Sequence, residues 1–258
     1  MVLGVTGTMM TCTFDGVALV TGGAQGIGEA IGRGLAAQGA TVALVDIDLD
    51  LAESVAADIR HAGGDATAHF VDLADRDSVN SMVETVLQRH GNIHALINNG
   101  GLDAQPGLAS DIDATHWNTL IDTDLSGQWW CTQAVLPNMK ARGYGRIIFM
   151  SSSSIYIGGR TISPAYLAAK AGLVGLTVGL ASQLEESGIL VNCLMPGPTG
   201  NTGTPMDPED VPVYLAEHPL GFGGTQPLVD SVRYLLDSTG DWVSGAIHNV
   251  SGGRLRGR

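Results

Sequence analysis

Val17-Ala-Leu-Val-Thr21 runs straight into Gly22-Gly-Ala-Gln25-Gly26-Ile27-Gly28, and a helical pattern over Ile27–Gln38 follows without a gap. The apolar run reads as a strand and the glycines as the turn that leaves it. Glycine permits the tight turn, lets another backbone approach closely and brings the helix near the strand. A helix starting there points free N–H groups and the positive end of its dipole beyond the strand, where a pyrophosphate would sit. Gly22, Gln25, Gly26, Ile27 and Gly28 are therefore the first candidate binding residues. A glycine run alone is also compatible with a simple tight turn; the strand before it and the helix after it favour the dinucleotide site.

Outward from this turn, short apolar runs alternate with longer helical patterns. Strands are predicted at Val17–Val20, Thr41–Val45, Thr67–Val71, Ala95–Ile97, Arg146–Met150, Ile189–Leu194 and Ala246–Val250. Helices are predicted at Ile27–Gln38, Leu49–Ala62, Asp77–His90, Ala114–Ala141, Tyr166–Glu186 and Gln226–Ser238. Strands without polar alternation are buried on both faces, as in a parallel sheet covered by helices. Strict alternation of strand and helix predicts a doubly wound α/β fold. No break in composition divides the chain, so residues 14–258 are expected to form one domain, with residues 1–13 as an N-terminal extension. The segment at about 198–224, rich in Pro, Gly and Thr, reads as a substrate loop.

Asp46 ends the second predicted strand, 18 residues beyond Gly28. A carboxylate there accepts hydrogen bonds from ribose hydroxyls and repels a 2′-phosphate. The turn carries no Lys or Arg and Ile47 follows Asp46, so NAD is expected rather than NADP. The simpler alternative is that Asp46 caps the next helix.

Thirteen basic against 26 acidic residues give a formal charge of −13. Such a surface repels nucleic acid and anionic lipid, and only Arg254, Arg256 and Arg258 cluster, as a short tail. Cys12, Cys131 and Cys193 are too scattered for a disulfide framework, and the histidines, His94 and His248 among them, show no metal-ligand spacing, so no metal is expected. The first residues lack the pattern of a signal peptide, and the apolar run around Ala171–Ala181 is broken by glycines and reads as too short for a membrane span. A cytoplasmic protein without nucleic-acid or membrane partners is the expectation.

Tyr166 and Lys170, four apart in a helical pattern, share a face. A tyrosine works as a general acid/base when a nearby ammonium favours its phenolate. Ser151-Ser-Ser-Ser154 ends the predicted strand Arg146–Met150 and brings hydroxyls to the same edge of the sheet.

From about Phe14 to Gly253 the chain resembles a short-chain dehydrogenase/reductase. The family's Thr-Gly-x-x-x-Gly-x-Gly stands here as Thr21-Gly22 through Gly26-Ile27-Gly28, and its Asp-Leu pair as Asp72-Leu73. Asn98-Asn99-Gly100-Gly101 matches its Asn-Asn-Ala-Gly, Tyr166-Leu-Ala-Ala-Lys170 its Tyr-x-x-x-Lys, and Asn192 to Pro196-Gly197 its Asn-x-x-x-Pro-Gly. The resemblance implies a Rossmann-type fold and NAD-linked exchange of a hydride with a small alcohol or carbonyl substrate. It implies that Tyr166 exchanges the proton, that Lys170 lowers its pKa and binds the nicotinamide ribose, and that Asp72 and Leu73 hold the adenine. It adds Asn99, Pro196, Gly197 and Thr199 to the cofactor residues, with Thr202 as an alternative to Thr199. Family spacing puts the substrate-orienting serine at Ser153, whereas counting from the strand selects Ser152; Ser153 is preferred. The family also implies a homo-oligomer, dimer or tetramer, paired through the long helices Ala114–Ala141 and Tyr166–Glu186. Trp129 and Trp130 are then core or subunit-contact residues, and Tyr156 lines the pocket or packs its loop.

Two positions depart from the pattern. Thr123-Asp124-Leu125-Ser126-Gly127 carries an aspartate where the family has the asparagine of its proton relay. Asp124 shares a helical stripe with Trp117, Leu120 and Ile121, so it is expected to point inward, with Lys170 as partner, and to keep the relay water. The alternative is a solvated carboxylate without a part in the chemistry. Gly100 replaces the family's alanine. Three functions compete: an NAD(H)-linked dehydrogenase or reductase, a lyase or dehalogenase that has lost the nicotinamide, and a non-catalytic NAD sensor. The intact glycine turn, Tyr166 and Lys170 favour the first.

Overall fold

The strand β1 (Val17–Thr21) pairs in parallel with β2 (Thr41–Asp46) on one side and with β4 (Ala95–Asn98) on the other. A computed structural model describes residues 14–256, without 105, 201–207, 210 and 217 and without the side chains of 213 and 214. The expected extension 1–13 and Thr202 lie outside the described residues, as does part of the expected loop 198–224. With β3 (Asp65–Phe70), β5 (Gly145–Met150), β6 (Ile189–Pro196) and β7 (Ile247–Val250) the sheet has seven strands in the order β3-β2-β1-β4-β5-β6-β7, all parallel. Between the strands lie α1 (Gly26–Ala36), α2 (Leu49–His61), α3 (Arg76–His90), α4 (Ala114–Ile121), α5 (Gly127–Arg142), α6 (Ser154–Ile157), α7 (Pro164–Leu184), α8 (Val211–Ala216) and α9 (Gln226–Leu236).

The period of two along the strands divides the core. Ala18 and Val20 face one layer with Ile31 and Leu35 of α1, Val55 of α2 and Val232 of α9. Leu19 faces the other, with Val83 of α3, Val135 of α5 and Leu173 of α7. Both faces are covered, as the unbroken apolar runs predict. The strand order reverses between β1 and β4, and in such a sheet ligands bind in the crevice beyond the C-terminal ends of the strands at that point.

Four expectations need correction. The helix predicted over Ala114–Ala141 is interrupted: α4 gives way to a π-helical turn at Asp122–Ser126 before α5 begins. The third strand starts at Asp65 and ends at Phe70, because Val71 already belongs to the exit loop. α7 starts at Pro164 rather than Tyr166, since Ser163 caps it by accepting from Ala165 N at 3.2 Å. The apolar run around Ala171–Ala181 belongs to a longer stretch, Pro164–Ser187: its 24 residues contain an 18-residue window of mean hydropathy 1.4, long and apolar enough to cross a membrane. That helix packs along β6 and β5 and buries Lys170, as a helix of the sheet layer does.

Candidate active site

The glycine turn has the shape its sequence demands. Gly22 and Gly26 adopt φ of +63° and +61°, the left-handed region that favours glycine. A Cβ on Gly28 would lie 2.0 Å from Gly22 O and 2.7 Å from Asn99 Nδ2, so only a bare Cα fits there. Gln25, exposed and extended, precedes α1 without a side-chain cap, and Ile27 packs half-buried against the core. The uncapped helix end, two left-handed glycines and the bare Cα form a cradle that fits a pyrophosphate.

Asp46 reaches back to this turn. Its Oδ2 accepts from Ala24 N at 3.0 Å and its Oδ1 from Asp48 N at 3.1 Å. It does not cap α2; Asp48 does, accepting from Leu51 N at 3.0 Å. Asp72 sits half-buried between β3 and α3, its Oδ1 accepting from Ala74 N at 2.9 Å. Leu73 is buried beside Gly127, where a Cβ would lie 2.3 Å from the Leu73 carbonyl. Glycine at position 100 also has a cause: a Cβ there would meet Leu73 Cδ1 at 2.8 Å and Gly22 N at 2.9 Å.

β4 delivers Asn99 onto the same turn. Its Nδ2 donates to Thr21 O at 3.1 Å and to Gly22 O at 3.3 Å, while its own N–H donates to Thr21 Oγ1 at 3.0 Å. Pro196 ends β6, accepts from Ser153 N at 3.0 Å, and passes into Gly197, whose N–H donates to Val250 O at 2.9 Å. A Cβ on Gly197 would lie 2.5 Å from Ser251 Cα. Thr199 is half-buried and lines a cavity of about 390 Å³ with Leu220, Gly223, Leu228 and Ser251.

The serine run is divided among three tasks. Ser151 Oγ donates to Lys170 O at 2.7 Å, tying β5 to α7. Ser152 Oγ accepts from Ser154 N at 3.2 Å. The Ser153 hydroxyl makes no hydrogen bond to the described residues, and its backbone carbonyl starts α6 by accepting from Tyr156 N. Tyr156 is exposed on that short helix.

Tyr166 is 8% exposed, packed with Leu120 and Ala165, and Lys170 Nζ lies 5.7 Å from the centre of its ring. Lys170 faces Asp124, with 3.5 Å between Nζ and Oδ2. Asp124 is 0% exposed, and its Oδ1 accepts from Leu102 N at 2.7 Å. Burial disfavours the Lys170 ammonium, but the Asp124 carboxylate, then Tyr166, outweigh it and hold its pKa above the ordinary lysine value. Cys193 beside them is inert, its thiol pushed up to about 11 by burial. Inward orientation of Asp124 is as expected, but not its stripe: Leu120 is buried, whereas Trp117 is 43% exposed. The π turn shifts the phase of the helix and decouples Asp124 from Trp117. Trp129 and Trp130 are half-buried against the core layer of α5 and α7.

One anchor went unnoticed in the sequence. His116 Nε2 meets Ser163 Oγ at 2.8 Å, joining α4 to the start of the helix that carries Tyr166. A lone histidine in a polar helix gives no signal for it.

Residues 16–211 match the short-chain dehydrogenase family model. The chain belongs to the short-chain dehydrogenase/reductase family. Members of the family use nicotinamide cofactors, and the cradle beyond β1 fits one. Among its relatives, the (2S)-[(R)-hydroxy(phenyl)methyl]succinyl-CoA dehydrogenase subunit BbsD of Thauera aromatica is 33% identical, covering 92% of this chain and 96% of that one. The cis-4-hydroxycyclohexanecarboxylate dehydrogenase of Sinomonas cyclohexanicum is 34% identical, over 92% and 95%. The crystal structure of gox2181 superposes with a TM-score of 0.87 at 30% identity, covering 93% of this chain and 95% of that one. Within this family's pattern the aspartate at position 124 is the departure that touches Lys170.

Proposed function

We propose that this short-chain dehydrogenase/reductase is NAD-dependent and moves a hydride between the nicotinamide and the CH–OH or C=O carbon of a small secondary alcohol or ketone. The observation that carries this reading is the convergence, at one edge of the sheet, of the glycine cradle with Asp46 and of Tyr166 with the buried Lys170–Asp124 pair. When bound, the nicotinamide supplies a ring carbon that accepts or returns a hydride.

The residues divide the remaining work. N–H groups at the start of α1 hold the pyrophosphate between Gly22, Gln25, Gly26, Ile27 and Gly28. Asp46 accepts from the ribose hydroxyls and repels a 2′-phosphate, which favours NAD. Asp72 and Leu73 receive the adenine; Asn99, Pro196, Gly197 and Thr199 surround the nicotinamide half. The Ser153 hydroxyl, uncommitted among the described residues, orients the substrate oxygen. Tyr166 takes the alcohol proton during oxidation and returns it during reduction. Lys170 supplies the positive charge beside Tyr166 and binds the nicotinamide ribose, and Asp124 fixes that charge and holds the relay water. The names of the relatives above, dehydrogenases of a hydroxyacyl-CoA and of a cyclic hydroxy acid, support a substrate that bears a CH–OH group.

The residues of α7 that face away from the sheet, Ala168, Ala171, Gly175, Val178 and Gly179, are exposed and uncharged. They support pairing of copies into a dimer or tetramer of a cytoplasmic protein, which light scattering on the purified chain tests. Activity is tested by absorbance at about 340 nm, where reduced nicotinamide absorbs, with NAD and NADP against cyclic and acyclic secondary alcohols. Turnover with NAD, and at least tenfold less with NADP, is expected. NAD binding with no turnover on any substrate selects instead a sensor of the same fold, a reading that the Asp124–Lys170 pair alone favours.

A further inference from the structure

Asp124, Gln128 and Thr132 follow one another at intervals of four along the π turn and α5, and all three are fully buried. They meet the chain leaving β4 at every second residue. Asn98 Nδ2 donates to Thr132 Oγ1 at 3.1 Å, Gln128 Nε2 donates to Gly100 O, and Leu102 N donates to Asp124 Oδ1 at 2.7 Å. Thr132 closes the seam by donating to Gln128 O at 2.9 Å. The two repeats are commensurate: four helical residues rise about 6 Å and two extended residues about 6.6 Å. The amide of Gln128 has a defined orientation, because a carbonyl oxygen accepts and only the –NH₂ end can face it.

The same segment is held from its other side by the cofactor turn. Gly100 N donates to Thr21 Oγ1 at 2.8 Å while Gly100 O accepts from Gln128, so both peptide groups of this one glycine are held, one by β1 and one by α5. One residue further on, Gly101 lies bare against the charged pair: a Cβ would sit 2.9 Å from Asp124 Oδ1 and 3.2 Å from Lys170 Nζ. A slip of this segment by a fraction of an ångström therefore moves the cofactor turn and the Asp124–Lys170 pair together.

We propose that Gln128 is a positioning residue: through Gly100 it sets the register of Asn98–Leu102, and so holds the glycine turn and the Asp124–Lys170 pair in fixed relation. This rests on the catalytic reading given above. The hold is a hydrogen bond to a buried carbonyl, so its loss leaves that acceptor unsatisfied, whereas a side chain of similar length without a donor still fills the space. Asp124 and Lys170 are the charged groups on the seam. Cys131, the neighbouring titratable group on α5, has its thiol pushed up to about 12 by burial and stays neutral.

Two variants separate donation from packing. Gln128→Met is expected to lower kcat about tenfold, the scale of one lost hydrogen bond, and to move the alkaline limb of kcat/KM to lower pH as Asp124 loosens from Lys170. Gln128→Glu has the parent shape but donates to Gly100 O only when protonated, and burial beside Asp124 raises the pKa of such a carboxyl. Its activity relative to the parent is therefore expected to be nearest one at the acid end and to fall as pH rises. Its melting temperature, measured without cofactor, is expected to drop further below the parent's over the same range. A Gln128→Glu ratio and melting gap that stay flat with pH overturn the hydrogen bond, even where Gln128→Met does not fold. A pH-dependent melting gap with unchanged kcat and unchanged pH limb in Gln128→Met overturns the positioning role. A parent that binds NAD but turns over no alcohol overturns the catalytic reading, and the positioning role falls with it; the parent assay thus tells the two failures apart.

Discussion

Between Gly22 and Gly28 the chain is shaped by missing atoms, and around Lys170 by charged ones. In the glycine turn the fit is set by absent side chains, with Asp46 and Asn99 bonding only to its backbone; Gly28 is required because Gly22 O occupies the place of its Cβ. Between α7 and the π turn, Lys170 and Asp124 are two charged partners taken out of water, each tolerable because the other is there. The first kind of site is specified by backbone and admits almost no substitution. The second is specified by pairing, so removing both charges together costs less than removing one.

That contrast gives three ways to break it. The largest effect is expected from Lys170→Met, which strands the Asp124 carboxylate in the core and lowers stability by about 3–5 kcal/mol; chemical denaturation measures it. Asp124→Asn together with Lys170→Met should recover most of that loss, and equal destabilisation by the single and double variants would remove the pair from the account. Next, Gly28→Ala forces the turn apart and is expected to cost about 1–3 kcal/mol while weakening NAD binding, seen by calorimetry. No second substitution nearby should restore it, in contrast to the charged pair; NAD affinity equal to the parent's would count against the cradle.

The third test, Asp124→Asn alone, is read through pH. Lys170 has a raised pKa in the folded protein, so its stabilisation is fully present below the unfolded value of about 10.4 and is lost as pH rises through the folded value. Without the carboxylate, burial is opposed chiefly by Tyr166 and the ammonium loses its proton at lower pH. The alkaline limb of kcat/KM should then move down by about one unit. A superimposable profile would make Asp124 a bystander.

These regions were also unequally legible in the sequence. The glycine turn could be read because its spacing is the structural requirement itself, and the parallel sheet because its strands lack polar alternation. Asp46 lay where expected, at the end of β2, but its oxygens accept from Ala24 and Asp48. The seam was legible only in part. Asp124 stood out because an asparagine was expected there, yet nothing in Asp122–Ser126 announces a π turn: no proline or glycine marks it. Gln128 and His116 stayed hidden because a lone polar residue in a helix reads as surface, and their burial depends on contacts 28 and 47 residues away. α6 and α8 were missed for a different reason, being too short for helical periodicity to show.

In the proposed reaction Tyr166 is the group that exchanges the proton during hydride transfer. The most direct measurement compares NADH formation by the parent and by Tyr166→Phe, on an alcohol that the parent oxidises, alongside NAD affinity. A fall in kcat of about 1,000-fold, with NAD affinity within a factor of about two, is predicted. Turnover by Tyr166→Phe at the parent rate would contradict it.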